Sequence, residues 1–75
     1  MLQVDLKQSD RELGKFITDQ CSTCGTVVSV QIYRSENSFA LVQMINHMQT
    51  LEVAGKYGDS TFGAAALIRL KQKPN

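Results

Sequence analysis

No run of apolar residues in this chain approaches the length needed to cross a bilayer, and no charged-then-apolar leader opens it. The expectation is an intracellular protein, nuclear or cytoplasmic, or a piece of one, with its thiols reduced and no membrane partner. Only two cysteines are present, Cys21 and Cys24, which excludes a disulfide framework. Net charge is nearly absent, +1 from eight Lys and Arg against seven Asp and Glu. Any affinity for phosphate must therefore come from where the cations sit. Internal repeats, low-complexity segments and linkers are also missing. At 75 residues the chain is expected to form one domain, 1–75, burying roughly 60% of its unfolded surface. A core that small leaves no deep cleft, which weighs against a self-contained enzyme.

Constellations that carry chemistry are equally sparse. Cys21-Ser22-Thr23-Cys24 supplies two metal ligands and His47 a distant third, whereas zinc takes four. A thioredoxin-like pair opens a helix, where the dipole lowers the thiol pKa, but this pair closes one, where the dipole raises it. One core cysteine and one cysteine at a helix end are expected. His47 has no acid or cysteine within four residues, and Gly55-x-x-Gly58 has no lysine after it to make a phosphate loop. No catalytic residue, no metal and no cofactor is expected.

An apolar fraction of 43% is enough for a folded domain, and its pattern is regular. Leu2, Val4 and Leu6 alternate with polar residues as in a half-buried strand. Ser9-Asp10-Arg11-Glu12 has capping-box spacing, and Leu13, Phe16, Ile17, Cys21 and Cys24 then recur at helical steps until Gly25. Val28, Val30 and Ile32 predict a second strand facing the core, and Arg34 to Ser38 a polar turn. In the third strand Ala40, Val42 and Met44 point inward, while Phe39, Leu41 and Gln43 point outward. Asn46 caps a second helix whose buried face is Met48, Leu51 and Ala54, extended by Tyr57. A turn at Tyr57 to Ser60 leads to a last strand, Ala65 to Lys71, with Ala66, Ile68 and Leu70 inward and Leu67 and Arg69 outward. Lys71 to Asn75 is a polar tail.

Strand, helix, strand, strand, helix, strand is the split βαβ order, which predicts an α+β, ferredoxin-like sandwich. Its expected form is a four-stranded antiparallel sheet with both helices on one face and the other face open. Acidic residues fall on the two helices, whereas Arg34, Arg69, Lys71 and Lys73 fall on strands or tail, so the open face is expected to be the more basic one, with Asp5 its main acid.

The octamer Asn37 to Met44 resembles the third-strand ribonucleoprotein motif of the RNA recognition motif family, the RRM. Phe39, Ala40 and Val42 match it, and Gly25-x-Val27-x-x-Val30 enters the second strand as the family's pattern does. Asn37, Ser38, Leu41 and Met44 depart from it. The resemblance implies an exposed sheet that stacks single-stranded RNA on aromatic rings, at roughly 1–3 kcal/mol per base. It assigns the contacts to Phe39, Leu41 and Gln3, with Tyr33 as a substitute ring and Arg69 and Lys71 as phosphate partners. With Gln3 and Leu41 where rings would stand, the implied binding is weak or depends on a larger protein. The alternative is a module of the same fold that docks a protein through Phe39, Leu41 and Leu67. Two other families of this fold are not resembled: copper carriers place their cysteines after the first strand, and acylphosphatases an arginine-bearing loop where Leu6-Lys7-Gln8-Ser9 stands.

Overall fold

The structure is a computed structural model and describes residues 1–58 and 60–74. Asp59 of the expected Tyr57–Ser60 turn and Asn75 of the tail lie outside the described residues. The elements are β1 (Leu2–Val4), α1 (Asp10–Cys21) continued by a 3-10 turn (Ser22–Cys24), β2 (Val27–Tyr33), β3 (Phe39–Met44), α2 (His47–Lys56), β4 (Ser60–Phe62) and β5 (Ala65–Gln72).

Local chemistry explains the helix ends. The Ser9 hydroxyl accepts the Glu12 N–H at 3.2 Å, and Asn46 Oδ1 accepts the Gln49 N–H at 2.9 Å, so each helix begins with one of its free donors satisfied. The Glu12 carboxylate accepts from the Ser9 hydroxyl instead of from a backbone N–H, so only half of the capping box forms. Gly25 stops the first helical stretch at φ 147°, and a Cβ there would collide with the Gln49 side chain. That Gln49 side chain accepts the Thr26 N–H, so the entry to β2 is built against α2.

The sheet differs from the expected one. It has five strands in the order β1-β5-β3-β2, with β4 also on β5. β1 runs parallel to β5, Leu2 opposite Leu70, and the remaining pairs are antiparallel. The expected four-stranded antiparallel sheet is thus a mixed five-stranded one, with β5 and β3 standing between β1 and β2. Length gives β5 room for both short strands. The eight residues of β5 hold β3 along one edge, and along the other they hold β1 at Leu70–Gln72 and β4 at Ala65–Leu67. Lys73 N–H to Val4 O at 2.9 Å and Leu6 N–H to Gln72 Oε1 at 2.8 Å continue the β1–β5 seam.

Both helices contribute to a single core on one face of the sheet. Leu13, Ile17 and Cys21 of α1 and Val53 of α2 meet Val4, Ala40, Val42, Met44, Ala66, Ile68 and Leu70, all buried. Two core assignments need correction. In α2 the buried face is Thr50, Val53, Ala54 and Tyr57, while Met48 is 75% and Leu51 48% exposed. The Thr50 hydroxyl donates to Asn46 O, which lets a polar residue occupy an interior position. In β2 a bulge between Val27 and Ser29 turns Val28 outward, 57% exposed, and seats Val27 against the core in its place.

Candidate functional site

Cross-strand register assembles the face opposite the helices in rows. Tyr33, Phe39 and Arg69 form one row, and Gln31, Leu41, Leu67 and Ser60 form the next. Toward the other edge Lys71 pairs with Gln3. Strand alternation puts all six expected contact residues, Phe39, Leu41, Gln3, Tyr33, Arg69 and Lys71, on this one face. Phe39 and Leu41 are half-buried, whereas Gln3, Tyr33, Arg69 and Lys71 are exposed.

The apolar members enclose a shallow hollow of about 250 Å³ lined by Tyr33, Phe39, Leu41, Phe62 and Leu67. Tyr33 and Phe39 stack on each other, centroids 5.1 Å apart and planes 16° from parallel. The Tyr33 hydroxyl donates to Gln31 Oε1 at 2.8 Å, holding the outer ring of the pair in place. Next to the hollow, a more polar groove of about 420 Å³ runs past Ser35 to Ser38, Arg69 and Lys71. Phe39 and Arg69, paired in register, mark the boundary between the two.

Phe62 escaped the sequence reading because β4 was not recognised as a strand. At 66% exposure it is the most open ring on the face. A signal for it exists: Ser60-Thr61-Phe62 is followed by Gly63 at φ 61° and Ala64, a two-residue hairpin turn with glycine first. The ring count on this face is therefore three, against the one that Phe39 alone would give.

The basic character of the face rests on fewer residues than expected. Arg34 reaches away from it: Nε bonds Asp10 at 2.7 Å, and Nη1 and Nη2 bond the carbonyls of Leu6 and Gln8. That clamp ties the end of β2 to the loop before α1. Lys73 lies over the Phe16 ring of α1, 5.1 Å from its centroid, so it also belongs to the helix side. Arg69 and Lys71 are the cations that β5 directs to the open face.

The cysteines sit away from this face. Cys21 is fully buried, and burial, with Cys24 next to it, pushes its thiol pKa up to about 11. That is the opposite of an activated nucleophile. Among the described residues no group of three or more His, Cys, Asp and Glu could hold a metal ion, and no helix is long and apolar enough to cross a membrane. Comparison of the chain with protein-family models, with curated proteins and with solved structures gives no match.

Proposed function

We propose that this domain is an RNA-binding module, not an enzyme, that holds single-stranded RNA on its open sheet face. The observation that carries the reading is the grouping of three rings, Tyr33, Phe39 and Phe62, on one solvent-facing surface with Arg69 and Lys71 at its side. Rings offer stacking to any base, and cations in the adjoining groove offer the backbone a phosphate partner. The resemblance of Phe39-Ala40-x-Val42 to the RRM third strand supports the same assignment. In this reading Phe62, not Leu41, is the second stacking surface. Gln3 and Gln31 are the polar groups placed to reach base edges, and an intracellular setting follows.

One feature favours a second reading, a protein-docking module. The five side chains around the hollow are apolar apart from the Tyr33 hydroxyl, which is engaged by Gln31. A base sunk into the hollow would leave its edge groups unpaired, whereas an apolar side chain would not.

Titration of short single-stranded RNA at two salt concentrations separates the readings. For RNA, Phe39→Ala and Phe62→Ala each weaken binding by roughly 1–3 kcal/mol, and Leu41→Ala changes it little. Arg69→Ala and Lys71→Ala each flatten the salt dependence, by about one unit of slope. Unchanged affinity in the Phe39→Ala/Phe62→Ala double variant, or no binding at low salt, removes the RNA reading. Protein docking instead makes Phe39 and Leu41 act together, with little effect of salt.

A further inference from the structure

The two edges of the sheet are built differently. One is divided between β1 and β4, each three residues long, and short strands offer little backbone to pair with. The other is β2, seven residues, Val27-Val28-Ser29-Val30-Gln31-Ile32-Tyr33, paired among the described residues only with β3. No other main-chain hydrogen bond involves these seven residues outside that ladder, so their outward N–H and C=O groups face no partner among the described residues. The devices that keep an edge from pairing are largely missing: the strand has no charge, no proline and no inward-pointing polar residue, and its bulge lies at one end. The nearest cation, Arg34, is turned away into its clamp with Asp10, Leu6 and Gln8.

We propose that the β2 edge pairs antiparallel with the β2 edge of a second copy of this chain, joining two five-stranded sheets into one. The strand's own sequence favours this occupant. Val30 is its central residue, so a two-fold axis there pairs the strand with itself as far as the bulge. Ser29 then faces the partner's Gln31 on the open face and Val30 faces its own copy on the core face, while the bulge between Val27 and Ser29 ends the regular pairing before Val28. Every such pair is polar with polar or apolar with apolar, and no like charges meet. The open faces of the two copies become continuous across the seam. The inference rests on the edge alone and stands whether or not the face binds RNA.

Sedimentation equilibrium over a range of protein concentrations tests it. The wild-type mass is expected to rise from 8.3 kDa toward twice that value as concentration increases. Ser29→Lys/Gln31→Lys places lysines opposite each other on both sides of the axis and is expected to hold the chain at the single-copy mass. Ser29→Lys/Gln31→Glu places opposite charges across the same positions and restores the doubled mass, the more strongly at low salt. Both residues are exposed, so a wild-type circular-dichroism spectrum and a cooperative thermal transition verify that the variants fold. A wild-type chain that stays at single mass into the millimolar range overturns the proposal, whether or not an added extended peptide then pairs with the edge. A Ser29→Lys/Gln31→Lys variant that still doubles also overturns it, because the contact then lies elsewhere.

Discussion

Single residues set the stability of this domain according to how far each is enclosed. Val42 sits between strands and helices with no exposure, whereas Val30 lies on an edge strand and is half-buried. Val42→Ala is therefore expected to cost roughly 1–3 kcal/mol through lost burial and the cavity left behind, and Val30→Ala clearly less. Urea midpoints of the two variants check the order, and equal costs would mean that the edge of β2 is covered. Cys21 makes a pH-dependent contribution. Its thiol is raised from the ordinary 9.0 to about 11 by burial, so the folded state favours the neutral form. That contribution is complete below pH 9 and is lost as pH rises through about 11. Unfolding free energies measured across this window should fall for the wild-type chain and fall less for Cys21→Ala. Arg34 was legible as a cation but not as a clamp, because its three acceptors lie 24 to 28 positions away in sequence.

The elements followed from local signals wherever those signals were strong. Ser9, Gly25 and Asn46 mark helix boundaries by chemistry that involves only near neighbours, and all three act where the pattern placed them. The buried face of α2 was misread because Met48, Leu51, Ala54 and Tyr57 form a plausible three-residue ladder, while the face in use, Thr50, Val53, Ala54 and Tyr57, includes a threonine. A test at this scale compares three substitutions. Asn46→Ala is expected to cost about 1 kcal/mol through the lost cap, while Met48→Gln and Leu51→Gln stay within about 0.5 kcal/mol of wild type. A large loss in Met48→Gln would return that side chain to the core. In β2, the bulge could not be read from Val27-Val28-Ser29-Val30, since adjacent valines fit either face.

At the scale of the whole molecule, one apolar core holds the elements together. The core joins both helices to four of the five strands, and no described cluster of ligands supplies a metal cross-link. A strong chelator is accordingly expected to leave the thermal midpoint unchanged, and a chelator-induced unfolding transition in circular dichroism would require ligands that the packing does not reveal. The candidate site is a whole-molecule property as well. Phe39 and Leu41 are neighbours in the chain, but Tyr33, Phe62 and Leu67 reach them only through three strand pairings.

The sequence by itself determined the kind and order of most elements, the inward faces of β3 and β5, and the presence of Phe39, Leu41, Arg69 and Lys71 on an outward face. These follow from periodicity, which each segment carries within itself. Apart from the antiparallel β2–β3 pair joined by the turn at 34–38, only the tertiary structure decided which strands are neighbours. An alternating Leu2-x-Val4 satisfies an edge beside any strand with an apolar inner face, and its parallel place on β5 depends on the length and free edge of a segment over 60 residues away. The same choice admitted β4 and placed Phe62 on the open face, because a strand's hydrogen-bonding partner is set by competition among all strands and not by its own side chains.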